Sequence, residues 1–350
     1  MVANLRAMAH ARVTAVIKSG GSAMSYLLGH SKKPLCSGFV ARLWTDTCLF
    51  IGAVALSLAA HAEPYEQEPS SFASGEPIMI KVGATPMSHA EILEYIKPAL
   101  LQEGIDLQVV EFNDYLTPNI ALEEGYLDAN FFQNQPYLDV FNSDYHLNLV
   151  SLGAVHVEPM GIYSARFGDL RSLNEGATVA IPNDPSNHCR ALRLLEQAGL
   201  IKLEDSTSLT LQLRSITSNP KNLRFEQIEA SQLPLYLAKC DAVAINANFA
   251  QAAGLNPLKD ALITDSKSTV YANIVVTTLE KQNMPQLKTM MRYLHSTDTS
   301  NFILRRFQGI VLPIQSLQNM PATPSTPATR PQRYSGEPRV FQKSVGFIAR

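Results

Sequence analysis

Residues 178–199 read T-V-A-I-P-N-D-P-S-N-H-C-R-A-L-R-L-L-E-Q-A-G, and this stretch decides the fold. A short apolar run from Thr178 breaks at Pro182 and Pro185 and then resumes with helical spacing. That pattern is a strand, a turn and a helix. The prolines cannot donate to a ladder and punctuate the turn, and Ser186 or Asn187 is placed to cap the helix. Ala191, Leu194, Leu195 and Ala198 form its buried stripe, and Gly199 ends it. The helix start therefore sits beside a strand's carboxyl end. Open α/β sheets bind ligands at that corner, because unpaired amides and the positive end of the helix dipole favour anions there. Arg190 falls in the first turn, where the dipole disfavours a cation, so its placement against local preference marks a use. A guanidinium fork matches a carboxylate. On these residues alone a solvated surface arginine stands as the equal alternative.

The whole chain has 350 residues, 46% hydrophobic and 17% charged, which leaves room for two domains. Its net charge of -2, from 29 Lys+Arg against 31 Asp+Glu, offers no basic footprint, so nucleic acid is not an expected partner. Leu49 to Ala60 is an apolar run too short to span a bilayer, and it ends at Ala60-His61-Ala62, a small-x-small cleavage pattern. Residues 1–62 are thus expected to be a secretory signal that is removed, with residues 63–77 a polar leader. Cys48 precedes the apolar run instead of sitting at the cleavage site. The expected product is a soluble periplasmic protein with no lipid anchor. Cys189 and Cys240 are the cysteines left, and they are expected on opposite edges of one sheet, unbridged. Residues 315–350 carry P-A-T-P-S-T-P-A-T-R-P and no apolar period, the composition of a flexible tail.

The fold starts at Ile78. A strand at Ile78 to Val82 leads to Ser88-His89-Ala90-Glu91, a capping box opening a helix that Gly104 follows. Leu107 to Phe112 is a second strand, Pro118 begins a second helix that Gly125 stops, and Leu127 to Phe131 is a third strand. This β-α-β-α-β alternation implies parallel strands joined by right-handed crossovers. Past the quoted stretch come strands at Leu209 to Leu213, Leu223 to Ile228 and Asp241 to Ile245, with a helix at Leu233 to Ala238. Ala272 to Thr277 is a strand placed to return to the first sheet, followed by helices at Pro285 to His295 and Thr299 to Phe307. The expected layout is a first lobe over residues 78–163, a second over 164–266 and a return to the first over 267–314. Each lobe is a mainly parallel sheet flanked by helices, an α/β architecture with a cleft between lobes like that of periplasmic binding proteins.

The wording itself is also informative. D-A-N-F-F-Q-N-Q-P-Y-L-D (Asp128 to Asp139), A-T-V-A-I-P-N-D-P-S-N (Ala177 to Asn187), N-P-K-N-L (Asn219 to Leu223), A-I-N-A-N-F-A (Ala244 to Ala250) and A-G-L-N-P-L-K-D-A-L (Ala253 to Leu262) resemble the NlpA family, the methionine-binding lipoproteins of ABC importers. The likeness runs from about Ile78 to Pro313. It implies a two-lobed type II binding-protein fold, a free amino acid ligand, most simply L-methionine, an ABC permease as partner, and a monomer. Carried over position by position, it assigns Arg190 to the ligand carboxylate, Asn246 to its polar head, and Phe132, Tyr137 and Tyr115 to the side-chain pocket. Aromatic faces suit a thioether. Core aromatics and a strand-end cap are the plain alternatives for Phe132, Tyr137 and Asn246. Tyr271 and Asn273 match the family's return crossing. As a ligand residue, Arg190 should be replaceable without loss of ligand-free stability. One departure bears on the ligand: where the family has F-Q-H-Q-P-Y, this chain has Asn134 between the glutamines, so an amide stands in the place of a histidine. A different amino acid, a dipeptide, a metal, or a receptor role without transport are the alternatives.

Two rival classes are weaker. His188-Cys189 at a helix start could suggest a nucleophile, but adjacent helical residues point apart, and the chain has no G-x-S-x-G, phosphate loop, H-E-x-x-H or C-x-x-C. No enzyme activity, catalytic residue or cofactor is expected. His89, His146, His156, His188 and His295 are scattered with no local ligand spacing, so no metal site is expected either.

Overall fold

The computed structural model of the chain describes residues 76–204, 208–265 and 269–318. The signal region, nearly all of the leader and the tail beyond residue 318 lie outside the described residues. In chain order run β1 (Ile78–Ala84), α1 (Glu91–Gln102), β2 (Ile105–Glu111), α2 (Thr117–Glu123), β3 (Ala129–Asn134), α3 (Gln135–Tyr145), β4 (Leu149–Val157), β5 (Met160–Tyr163) and β6 (Thr178–Pro182). Then follow α4 (Pro185–Gln197), β7 (Lys202–Leu203), β8 (Ile216–Ser218), β9 (Arg224–Ile228), β10 (Ala242–Asn246), α5 (Ala247–Ala252), β11 (Ile263–Thr264), β12 (Asn273–Thr278), α6 (Pro285–Leu294), α7 (Thr297–Phe307), β13 (Leu312–Pro313) and α8 (Ile314–Gln318).

Two sheets define two lobes. The first has the order β13-β4-β12-β3-β1-β2 and the second β11-β5-β10-β6-β9, while β7 and β8 form a separate ribbon. β1 pairs in parallel with β2 and β3, and β6 pairs in parallel with β9 and β10, as the β-α-β alternation predicts. The strands that carry the chain between lobes are antiparallel to their neighbours. β12 lies antiparallel between β3 and β4, and β5 lies antiparallel to β10 and β11. Both sheets are therefore mixed. β12 does return to the first sheet, so the lobes are joined twice. The first crossing is only Glu158 and Pro159, between β4 and β5. The second lies between β11 and β12.

Burial explains the strand sequences. Every residue of β3 and of β10 is buried, so both read as unbroken runs with polar groups only where the cleft needs them. The first lobe packs Ile80, Val82, Ile92, Ile96 and Leu107 against Met290 and Leu294 on one face and Phe112, Leu122 and Leu138 on the other. In the second, Val179, Ile181, Leu192 and Leu195 form one core and Val243, Ile245 and Leu233 another. Gly104 and Gly199 take φ of 74° and 73° just past α1 and α4, the left-handed ending that spares glycine a Cβ clash.

Four local expectations are corrected. The cap of α4 is Asp184, whose side chain accepts from the Asn187 amide, while Ser186 and Asn187 lie inside the helix with Pro185 at its start. Arg190 therefore falls a turn deeper than the sequence reading placed it. Ser88 does not cap α1: the cap position is Ala90, without a side-chain bond, and Ala90 N donates to Thr85 O at 3.0 Å. Leu209 to Leu213 is not a strand, since only Leu211 of that run is fully buried and the chain turns into a 3-10 helix at Leu213–Ser215. The helix expected at Leu233 to Ala238 is a 3-10 helix over Ala230–Ala238 that holds Pro234, a residue with no donor for an α ladder. Cys189 and Cys240 are both buried and free.

These assignments predict opposite outcomes for two neighbours in α4. Leu195 is 0% exposed, so Leu195→Ala should cost about 2–5 kcal/mol in urea unfolding. Ser186 is not the cap, and its buried Oγ makes no hydrogen bond among the described residues, so Ser186→Ala should cost no stability. A loss near 1 kcal/mol or more at Ser186 would restore it as the cap.

Candidate functional site

The site is built where both crossings meet the ends of β3, β6 and β10. A small cavity is lined from the first lobe by His89, Tyr115, Phe132, Gln133, Asn134 and Tyr137. Asn187, Arg190, Asn246, Ala247 and Asn248 line it from the second lobe, Glu158 and Pro159 from the first crossing, and Asn273 from the start of β12. All six residues assigned from the sequence, Arg190, Asn246, Phe132, Tyr137, Tyr115 and Asn134, are among its walls. Tyr271 is not one of those lining residues, and Asn273 is.

One wall is aromatic. Tyr115, Phe132 and Tyr137 form a mutual cluster with centroids 5.8 to 6.0 Å apart, and Phe249 from the second lobe closes on Tyr115 at 4.9 Å. Each hydroxyl is committed: Tyr137 Oη donates to Tyr115 O at 2.7 Å and Tyr115 Oη donates to Asn248 Oδ1 at 2.7 Å, the latter bond joining the two lobes. Burial pushes both phenols well above their ordinary range, so they remain neutral donors. Beneath this wall Gln133 exchanges hydrogen bonds with Asn119, which also accepts from Asn130, so β3 is held by a satisfied polar net. Asn134 Oδ1 accepts from the Tyr137 amide at 3.0 Å and caps α3. Among the described residues its amide nitrogen makes no hydrogen bond.

The other wall is polar. Arg190 is 4% exposed, and its fork is already occupied. Nε donates to Asp265 Oδ2 at 2.5 Å, while Nη2 donates to Asp265 Oδ1 at 3.1 Å and to the Glu158 carbonyl at 2.7 Å. Among the described residues no hydrogen bond reaches Nη1. The guanidinium also lies 4.5 Å from the centroid of the Tyr271 ring. The surface-arginine alternative is therefore excluded, and so is the expectation that Arg190 can be replaced at no cost. Removing it would strand Asp265, and breaking a buried pair costs about 3–5 kcal/mol. Asn246 stands at the start of α5 but makes no side-chain cap bond. Its Nδ2 donates to Asn187 Oδ1 at 2.9 Å, and its Oδ1 is buried with no partner among the described residues.

Between the walls lies a group that the sequence reading missed. Glu158 Oε1 accepts from His156 Nε2 at 2.8 Å and from the Ser88 hydroxyl. His89 Nε2 is 4.0 Å from the same oxygen and donates to Asn273 Oδ1 at 3.0 Å, with Nδ1 meeting Thr85 Oγ1 at 2.8 Å. Ser88 is held at φ 60°, ψ −59°, which explains why it serves Glu158 and not the helix. Burial pushes the Glu158 carboxyl up, but the neighbouring histidines and the hydrogen bonds from His156 and Ser88 outweigh that and hold it at about 2. Burial takes His89 down to about 4. Donor atoms of His89, His156 and Glu158 lie within 4.8 Å of one another, a grouping that local spacing could not reveal. The Nε2 atoms of both rings are already engaged in hydrogen bonds, on Asn273 and on Glu158. His188 and Cys189 are not paired, since His188 Nδ1 meets Pro182 O at 3.1 Å and Cys189 Sγ donates to Ser208 O at 3.3 Å. The one signal for Glu158 in the sequence was a lone carboxylate inside the apolar run V-H-V-E-P-M-G-I.

Residues 80–315 match the family described as NlpA lipoprotein. The chain belongs to the NlpA lipoprotein family. It is 37% identical over 273 residues to the methionine-binding lipoprotein MetQ of Bacillus subtilis, covering 76% of this chain and 98% of that one. Among solved structures, a nutrient binding protein from Burkholderia cenocepacia bound to methionine has TM-score 0.65 and 38% identity, covering 67% of this chain and 99% of that one. An ABC transporter periplasmic substrate-binding protein from Coxiella burnetii has TM-score 0.64 and 39% identity, covering 67% and 100%. The fold is thus the two-lobed one of the NlpA binding proteins.

This membership corrects the expectation of an anchorless periplasmic protein. The family and the Bacillus relative are lipoproteins by name, which implies a lipid-anchored, membrane-attached form. The sequence argument inferred an unattached product from the place of Cys48 alone. Attachment by lipid needs no apolar span in the fold, because each buried CH₂ of an acyl chain contributes about 0.8 kcal/mol. Consistently, among the described residues no helix is long and apolar enough to cross a membrane.

The buried cluster fixes a pH response. The unfolded chain protonates His89 near 6.5 and the folded chain only near 4, so folded-state stability should fall as pH drops from about 6.5 through 4. His188, also lowered by burial, acts with the same sign, and Glu158 adds a loss from 4.5 down through about 2. Thermal midpoints between pH 7 and 4 should decline in wild type and decline less steeply in His89→Gln. An equal slope in both would remove His89 as a source.

Proposed function

We propose that this chain captures free methionine in the interlobe cleft, as a monomer, and delivers it to the permease of an ABC importer. The observation that carries this reading is the division of one small cavity into an aromatic wall and a polar wall. Tyr115, Phe132 and Tyr137 offer a polarizable surface to a thioether, whose burial is worth about 1.5–3 kcal/mol. Arg190 receives the α-carboxylate through Nη1, with Asn246 at the ligand's polar head. Asp265 supports this role by fixing the guanidinium from behind. Asn134 donates from the rim where relatives place a histidine. The methionine bound to the Burkholderia protein and the transporter role in the Coxiella protein's name support the same reading. Binding without catalysis fits the separation of His188 from Cys189.

Calorimetry with methionine on wild type, Arg190→Lys and Arg190→Ala tests the assignment. Arg190→Ala should weaken binding roughly thirty-fold to several thousand-fold, from about 2–5 kcal/mol for truncating a buried charge pair. Arg190→Lys keeps charge but loses the planar fork that Asp265 grips, so it should also weaken binding. Comparable affinities in all three proteins would remove Arg190 from the site. Failure of the wild type to bind methionine while another amino acid binds would replace the ligand.

A further inference from the structure

Every residue that lines the cavity is buried except Tyr115, so an amino acid can enter or leave only if the two lobes part. His89 sits where they meet. It lies on the segment Pro86–Ala90 of the first lobe, which packs against α5 of the second. Ala247, the first residue of α5, is buried in the hydrophobic core of the first lobe together with Ala90 and Ile92. Parting the lobes withdraws Ala247 from that core and brings water to the His89 ring, which lines the same cavity. With the lobes together the ring is 1% exposed, and its nitrogens are engaged as a neutral ring engages them. Nε2 donates to Asn273 Oδ1 at 3.0 Å, and Nδ1 accepts from the Thr85 hydroxyl at 2.8 Å. A second proton, on Nδ1, would turn that acceptor into a donor and take from the fully buried Thr85 hydroxyl the acceptor it now has. Burial is the main force against the charged ring; Glu158, 4.0 Å away, favours it, and His156, with ring centroids 5.0 Å apart, opposes it. The remaining charges are spoken for: Arg190 across the cavity is paired with Asp265, Glu91 at the start of α1 with Arg306, and Glu111 at the end of β2 is exposed. Tyr115 is a neutral phenol, and α5 carries no charged residue.

We propose that closing the lobes over the ligand expels a proton from His89 to water, so that acid opens the cleft and releases the ligand. The inference rests on the methionine reading above and adds regulation to it. With the lobes parted the ring meets water and titrates near the ordinary histidine value of about 6.5. With the lobes together burial takes it down to about 4. Between those values a protonated His89 and a closed cleft exclude one another. Affinity should therefore hold above about pH 6.5 and fall as pH drops from there toward 4. The ligand itself takes no part in the switch, because α-carboxyl and α-amino groups change charge outside this window. The result is a binding protein that loads at neutral pH and empties in acid.

Calorimetry with L-methionine in buffers of different ionisation enthalpy counts the proton. At about pH 5.5 wild type should release close to one proton per methionine bound, and at about pH 7 far less. Its affinity at about pH 5 should be roughly ten-fold or more below that at pH 7. His89→Gln keeps a donor for Asn273 and cannot titrate. It should release no proton and hold its affinity within about three-fold across the same range, whatever its absolute affinity. His188→Gln removes a second buried histidine that does not line the cavity, and should keep the wild-type proton release and pH ratio. Wild type that binds methionine at pH 5.5 without releasing a proton overturns the inference without any variant, and leaves the methionine reading standing. So does His89→Gln that keeps the wild-type release, or His188→Gln that loses it. A merely structural role for His89 would shift the variant's affinity equally at both pH values and leave the ratio intact, which also overturns it. Wild type that ignores methionine at pH 7 overturns the methionine reading first, and the proton switch with it.

Discussion

The ion pair between Arg190 and Asp265 holds the site together. A guanidinium that is 4% exposed cannot be left unpaired, and this one takes its partners from both connections between the lobes. Asp265 leads into the second crossing, and the Glu158 carbonyl belongs to the first. Asp265 also accepts from Met160 N at 2.7 Å, at the start of β5. Helix α4 is thereby tied to both connections between the lobes. Arg190 is fixed by contacts within the fold itself, which is how a scaffold pre-organises a site.

The same economy runs through the cleft. Tyr137 takes the Tyr115 backbone carbonyl as its hydrogen-bond acceptor, and Tyr115 reaches across the lobes to Asn248, so the interlobe contact and the pocket share one hydrogen-bond chain. Asn134, in the cavity wall, caps α3 with its oxygen. Glu158 is held by Ser88 and His156 on one oxygen alone. In each case a residue of the cavity wall also serves the fold. The cost is visible in Ser88, held at a φ that only a few non-glycine residues take. Acid sensitivity has the same origin, because burying His89 as a neutral ring lowers its pKa to about 4.

Much of this was legible in the chain. Local signals give the strand-turn-helix around Arg190, the glycine endings of α1 and α4, and the return strand, because each rests on neighbours in sequence. The resemblance of D-A-N-F-F-Q-N-Q-P-Y and A-I-N-A-N-F-A points to residues that do line the cavity. What could not be read depends on contacts across the chain. Asp265 is 75 residues from Arg190, and Glu158 is 70 from Ser88. Ser88 looked like a helix cap because S-x-x-E is a local pattern, but a carboxylate from the crossing competes for its hydroxyl and wins. The cap of α4 was misplaced for a smaller reason: Asp184, Ser186 and Asn187 are all good caps, and Pro185 at the first helical position decides for Asp184.

A crystal structure of the protein grown with L-selenomethionine as the added ligand and sulfur-methionine in the chain tests the central claim most directly, because selenium marks the side-chain end by its anomalous signal. The account predicts one selenium peak against Tyr115, Phe132 and Tyr137, with the carboxylate on Arg190 Nη1, the polar head at Asn246, and the Arg190–Asp265 pair intact. A ligand whose carboxylate displaces Asp265 from Arg190, or whose selenium lies away from the aromatic wall, would contradict it.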